Sequence, residues 1–238
     1  MKAVVKIIIA VLLLLNASAV QAADSDQKKV AEYIYSAEDY ERIGDYENAL
    51  LYYGKAVEAE KKDTFSLQKR AGLYMRLGEM NSAIADYSSA IGKKPEAGLY
   101  INRGVVYYRT GDFKSALSDY AAALKMDKGN VNAYFNRGVL YHRMKEYEKA
   151  IADFSALIDL QKDNSRNYII RAGIYFESGD YQRALKDCNR AIDIDPETAA
   201  YYHNRAEVYR RLGRDKDGEA DDVKAEYLLR KGSGEDEK

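Results

Sequence analysis

The 238-residue sequence has one cysteine, two prolines, two histidines and no tryptophan, and its 37 lysines and arginines nearly cancel 38 aspartates and glutamates, leaving a net charge of −1. Each shortage removes a class of protein. A single thiol, Cys188, builds neither an intrachain disulfide nor a multi-cysteine metal site. His142 and His203 are too few for a histidine-rich metal centre, and no HExxH stretch, acidic calcium loop or glycine-rich phosphate loop occurs, so no cofactor is expected. A balanced charge provides no field that would gather nucleic acid or an anionic membrane. At 47% hydrophobic, with so few prolines and 16 glycines, the chain is not a linker, a fibre or a disordered segment. What the sequence does have is tyrosine, 22 of them, a bias that calls for a positional cause.

Residues 1–22 carry Lys2 and Lys6, an apolar run from Ile7 to Leu15, and a small-residue stretch ending in Val20 and Ala22. This is the layout of a secretory signal cleaved after Ala22. The run is shorter than the roughly 20 residues needed to cross a bilayer, and no later segment is long and apolar enough to do so. An exported protein is expected, in a periplasm or else an extracellular or secretory-lumen setting.

The rest is periodic. Ala37, Ala71, Gly104, Gly138, Ala172 and Ala206 recur at intervals of 34, 33, 34, 34 and 34. Three residues after each stands a tyrosine: Tyr40, Tyr74, Tyr107, Tyr141, Tyr175 and Tyr209. Seven residues after each comes Gly44, Gly78, Gly111, Lys145, Gly179 or Gly213, followed by a second apolar series containing Ala49, Ala83, Ala116, Ala150 and Ala184. Four residues beyond these lie Tyr53, Tyr87, Tyr120, Phe154 and Cys188. Apolar residues at helical spacing on both sides of a glycine predict two helices joined by a tight turn in every unit. One such hairpin cannot bury its own apolar surface, so neighbours must stack into a continuous solenoid. Six units follow, about 30–63, 64–96, 97–130, 131–164, 165–198 and 199–232, with a lead-in at 23–29 and a disordered polar tail at 233–238. Pro95 and Pro196 fall between units, where an N-terminal helix position tolerates the missing N–H.

This register of small residues, tyrosines, glycine, alanine and terminal proline resembles the tetratricopeptide repeat family. The resemblance implies an all-α, right-handed superhelical solenoid of antiparallel hairpins whose first helices line a concave groove. It also implies a binding role with no catalytic residues. The groove positions carried over are Ile101, Val105, Tyr108 and Arg109 in the third repeat, Phe135, Val139, His142 and Arg143 in the fourth, and Ile169 and Phe176 in the fifth. Such an apolar and aromatic surface with arginines at its edge suits an extended peptide or a helix. The carboxylate clamp of chaperone-binding relatives is missing, since Ile34, Glu38, Gln68 and Gly72 stand at its positions. Two departures mark the fourth repeat, Lys145 in place of the turn glycine and Leu157 in a slot otherwise held by alanine, and the hairpin is expected to pack differently there. Asp215 and Asp222 replace aromatic residues in the sixth repeat and suit a terminal cap.

An arginine precedes the small residue from the second repeat onward: Arg70, Arg103, Arg137, Arg171 and Arg205. Asp86, Asp119, Asp153, Asp187 and Asp221 recur with them. Opposite charges in fixed register predict structural links between helices or between adjacent repeats, the planar guanidinium matching a carboxylate. The aspartates stand one per repeat, which does not suit an acid–base pair. A non-enzymatic adaptor or assembly factor that holds a protein or peptide is the leading expectation, and a self-associating scaffold is the alternative.

Overall fold

The computed structural model describes residues 27–59 and 64–233; the signal-like segment at 1–22 and residues 234–238 of the tail lie outside them. Twelve helices make up the described residues: α1 over 27–42, α2 (Tyr46–Ala59), α3 (Phe65–Leu77), α4 (Met80–Lys93), α5 (Ala97–Thr110), α6 (Phe113–Met126), α7 (Val131–Arg143), α8 (Tyr147–Leu160), α9 (Ser165–Glu177), α10 (Tyr181–Ile194), α11 (Ala199–Arg211) and α12 (Asp215–Ser233). Helix α1 is under way at residue 27, inside the expected lead-in, and α12 runs to Ser233.

The hairpin turns follow one recipe. Gly44, Gly78, Gly111, Gly179 and Gly213 all have φ between 72° and 85°, the left-handed conformation that ends a helix without a Cβ clash. Lys145 adopts it too, at φ 60°, the single non-glycine residue described with positive φ. The next residue then opens the second helix. Asp112 and Asp180 accept hydrogen bonds from the backbone N–H groups of Ser115 and Arg183, each filling one orphan donor at a helix start. Asn130 and Asn164 do the same for α7 and α9. Pro95 and Pro196 lie in the connections ahead of the N-cap residues Glu96 and Thr198, not at the first helical position.

The chain divides into two compact units, one ending at Gly111 and one beginning at Asp112. In the first, α2, α3, α4 and α5 each pack on the next, and the core gathers Leu67, Ala71, Tyr87, Ala90, Leu99 and Val106. In the second, α6 to α12 pack in succession and α9 also touches α11, the pattern of a solenoid of antiparallel helix pairs. The small residues let the helices close in: Ala49, Ala83, Ala116, Ala150 and Ala184 are completely buried. Rings fill the space between them, with Tyr53, Tyr87, Tyr120 and Phe154 all buried. Leu157 is buried beside Phe154 and Ile174, so the enlarged slot of the fourth repeat is filled by core packing.

The arginine–aspartate series forms a repeated polar frame. Arg70 donates through Nε and Nη2 to Asp86 at 2.7 and 2.8 Å, Arg137 to Asp153 at 2.8 and 2.6 Å, Arg171 to Asp187 at 2.7 and 2.8 Å, and Arg205 to Asp221 at 2.7 Å twice. These bidentate pairs join the two helices of one repeat and satisfy buried carboxylates. Arg103 and Asp119 fall in different units; within its own unit Arg103 Nη1 donates to Ser88 at 2.8 Å. Arg171 and Arg205 likewise place Nη1 on Ser155 and Asn189, both 2.8 Å away in the preceding repeat. One side chain thus ties its own hairpin and links it to the one before. Tyrosines on the same helix flank the guanidinium: Tyr134 and Tyr141 lie 5.8 and 5.9 Å from Arg137, and Tyr202 and Tyr209 lie 5.5 and 5.6 Å from Arg205. Much of the tyrosine excess therefore surrounds arginines, and the second-helix rings, with Tyr175 and Tyr202 of the first helices, fill the core.

Candidate functional site

The first helix of each repeat presents the residues assigned to the groove. In the first unit Val105 and Tyr108 are half-buried and Arg109 is exposed, but Ile101 is 7% exposed and belongs to the interior. Ile101 shares the register of Phe135 and Ile169, and register alone does not separate a face residue from a packed one.

In the second unit Phe135, 37% exposed, meets the edge of buried Phe154 at 5.9 Å between centroids. Val139 and His142 follow it along α7, and His142 Nε2 lies 3.0 Å from Glu177 Oε2 on α9. Phe176 packs edge-on against Tyr181 at 5.4 Å, and the Arg211 guanidinium lies 5.3 Å above its ring. Arg143, one of the arginines expected at the groove's edge, lies 5.4 Å over Phe113. Ile169, Phe176 and Glu177 come together on α9 around a cavity of about 310 Å³ that reaches Asn204, Glu207 and Val208 on α11.

Two residues open that cavity, and neither was among the expected site residues. Gly173 stands where the third and fourth repeats carry Val105 and Val139. A Cβ placed on Gly173 would meet nothing within 4 Å. Cys188, on the cavity floor, takes the place held by Tyr53, Tyr87, Tyr120 and Phe154 in the first four repeats. The thiol is buried, and desolvation, with the neighbouring Asp187 charge adding to it, pushes its pKa up to about 12, so it stays protonated and inert at neutral pH. The signal for both residues was legible in the 34-residue register, as side chains smaller than their counterparts.

The first unit holds the counterpart, about 390 Å³, lined by Gln68, Gly72, Met75, Arg76 and Asn102 over Tyr87. Gly72 and Gly173 are equivalent, as are Asn102 and Asn204, while Arg76 stands where the second unit has Glu177. A larger hollow of about 580 Å³ follows the α9–α10 turn, but its Asp180 and Arg183 are engaged with each other at 2.5 Å. Among the described residues no three His, Cys, Asp or Glu side chains could hold a metal ion, and no helix is long and apolar enough to cross a membrane.

With helix pairs, turn glycines and polar frame in view, the class is that of a helical-repeat binding protein. The sequence matches the tetratricopeptide repeat family at residues 40–63, 101–165 and 173–213, and the chain belongs to that family. Tetratricopeptide repeats are a family of non-catalytic scaffolds. No curated protein matches it. Among solved structures, a tetratricopeptide repeat protein from Parabacteroides merdae is similar at 24% identity and a TM-score of 0.68, over 82% of this chain and 77% of that one. A MamA protein is similar at 22% identity and a TM-score of 0.65, over 74% and 96%. YrrB, described as a TPR protein with an unusual peptide-binding site, is similar at 20% identity and 0.62, over 74% and 91%. At these identities the likeness is one of fold.

Proposed function

We propose that this chain is a binding scaffold that holds a segment of another protein against the first helices of its repeats. The observation that supports it most is the cavity between α9 and α11, apolar within and polar at its mouth, on the helix face that carries Phe135, Val139 and Phe176. YrrB, which shares the fold, has a peptide-binding site of its own. The signal-like residues 1–22 favour an exported setting, a periplasm first among them, and an assembly or adaptor role there. The test is crosslinked capture from an envelope or secretory fraction, comparing the unaltered chain with a Tyr108→Ala, Phe135→Ala, Arg143→Ala variant, none of whose positions lines the α9–α11 cavity. A partner lost by the variant supports the groove; an identical set of captured proteins removes it.

A self-associating scaffold is the second reading, and α12 favours it. Its first turns are those of a cap: Glu219, Asp222 and Glu226 stand where α10 has Leu185, Cys188 and Ile192, and Asp222 is engaged by Arg210 and lies 3.7 Å from His203. Yet Val223, Tyr227 and Leu229 are 67%, 50% and 66% exposed, and a hollow of about 400 Å³ lies beside Leu229, Ala225 and Ala199. Apolar surface of this kind at the end of a solenoid suits a further copy. Sedimentation across a hundredfold concentration range decides it: a single monomeric species throughout would remove the reading.

A further inference from the structure

We propose that the cavity between α9 and α11 is an anchor pocket for one aromatic side chain of a bound polypeptide whose adjacent residue is basic. The inference rests on the groove reading and deepens it. The first four repeats each place a ring on the layer beneath the first helices, and these rings are buried within the protein itself. In the fifth repeat that ring is absent: Cys188 supplies the floor, Gly173 leaves the wall open, and Ile169, Phe176 and Val208 line a space of about 310 Å³. The polypeptide thus lacks here the ring that its own pattern supplies in the first four repeats, and the gap opens on the face proposed to bind.

The mouth gives the sign of the neighbouring charge. Its charged lining residues are both carboxylates, Glu177 and Glu207, and each side chain is about half exposed. Arg210 donates to Glu207 at 2.7 Å and also engages Asp222, so one guanidinium answers two carboxylates. Glu177 has an imidazole, His142, as its partner. Arg211 is stacked on the Phe176 ring. A lysine or arginine beside the anchoring ring would complete this set, whereas an acidic neighbour would be repelled. The equivalent pocket of the first unit has Tyr87 beneath and a mixed rim, with Arg76 at the matching position and Lys69 beside a single carboxylate, Glu41.

The test uses the full chain with ¹³C-labelled Ile and Val methyl groups and three blocked peptides: acetyl-Gly-Phe-Lys-Gly-amide, its Phe-to-Ala analogue and its Lys-to-Glu analogue. The phenylalanine–lysine peptide is expected to shift Ile169 and Val208 methyls saturably. The alanine analogue should bind at least tenfold more weakly, and the glutamate analogue about threefold more weakly, with a difference that shrinks in high salt. Gly173→Val, which restores the residue of the third and fourth repeats, should lower binding at least tenfold while leaving thermal unfolding within a few degrees. Cys188→Tyr puts a ring into the same space from the floor, at the position Tyr87 holds in the second repeat, and keeps the test open should the first variant fail to fold. Equal shifts from the phenylalanine and alanine peptides, or full binding by folded Gly173→Val, would overturn the proposal. If the pocket variants lose the peptide but captured partners stay the same with Tyr108, Phe135 and Arg143 replaced, the anchor stands and the wider groove falls; the reverse result removes the anchor alone.

Discussion

The fourth and fifth repeats have the same frame and different fillings. Arg137–Asp153 and Arg171–Asp187 superpose in kind, two hydrogen bonds each at 2.6 to 2.8 Å. Above that frame, the fourth repeat places Phe154 under Gly138, so close that a Cβ on the glycine would stand 2.9 Å from the ring, with Val139 beside it. The fifth places Cys188 under Ala172, with Gly173 beside it, and a cavity opens. The two helices of each hairpin are joined by an arginine–aspartate pair that both repeats share. The face they present is set by the volume of three or four side chains, so binding surface can change without cost to the frame.

The largest expected effect comes from breaking the frame. Arg137→Ala strands the buried Asp153 carboxylate, and removing one partner of such a pair costs about 3 kcal/mol or more. Arg171→Ala strands Asp187 in the same way and also loses the 2.8 Å hydrogen bond to Ser155, so it should cost about 1 kcal/mol beyond the first variant. Urea unfolding of the two variants checks both the size and the order. Equal losses would mean that the link to the preceding repeat adds nothing.

Next in size is the fit between Gly138 and Phe154. A Cβ on Gly138 would stand 2.9 Å from Phe154 Cε2 and 3.3 Å from Asp153 Cβ, neither of them the loose end of a flexible chain. Gly138→Ala should destabilise by about 1–3 kcal/mol, against the gain that alanine normally brings inside a helix. Adding Phe154→Cys reproduces the pairing of the fifth repeat, Ala172 over Cys188. The double variant should therefore recover the steric part of the loss, and it transfers the small-residue floor to the fourth repeat. Thermal unfolding of the two variants measures the recovery, and a double variant no better than Phe154→Cys alone would show that the glycine and the ring are not matched.

The hairpins, their turns and the polar series were legible because each depends on a residue type repeated at one interval: a small residue, a tyrosine, a turn glycine, an arginine with its aspartate. Two things were not legible in that way. Ile101, Phe135 and Ile169 share a register, yet Ile101 is buried, because exposure depends on what neighbouring helices cover as well as on spacing. The α9–α11 cavity was missed because its cause is volume that is lacking; Cys188 reads as an ordinary core residue until it is set against the rings of the other repeats. The Nη1 hydrogen bond of Arg103, Arg171 and Arg205 to the preceding repeat hid for a related reason, its acceptor being Ser88, Ser155 or Asn189, residue types that share chemistry but not identity.

A smaller effect separates the two repeats at their turns. Lys145 holds φ at 60°, where an L-residue is about 1–2 kcal/mol less favourable than in the right-handed region, while Gly179 occupies the matching turn without that penalty. Lys145→Gly should stabilise by about 1 kcal/mol, and Gly179→Lys should destabilise by a similar amount. At roughly 2–4 °C per kcal/mol for a chain of this length, scanning calorimetry resolves both. Unequal shifts of the two would mean that the surroundings of one turn, and not its backbone conformation alone, set the difference.

The smallest effect concerns a link that the fourth repeat lacks. Where Arg171 and Arg205 reach Ser155 and Asn189, Arg137 faces a position held by Ala121, which has no acceptor. Ala121→Ser supplies one. A serine inside a helix costs about 0.5 kcal/mol relative to alanine. A hydrogen bond to a charged group contributes about 1.5–3 kcal/mol where it is buried and less where it is partly exposed, as here. The net gain should therefore be about 0.5 kcal/mol, close to the error of a single unfolding curve. A double-mutant cycle isolates it: Ala121→Ser should stabilise the parent chain and destabilise the Arg137→Ala background, where only the helix cost remains. The same small change in both backgrounds would mean that the acceptor is unused, and that Arg137 is held by Asp153 and its flanking tyrosines alone.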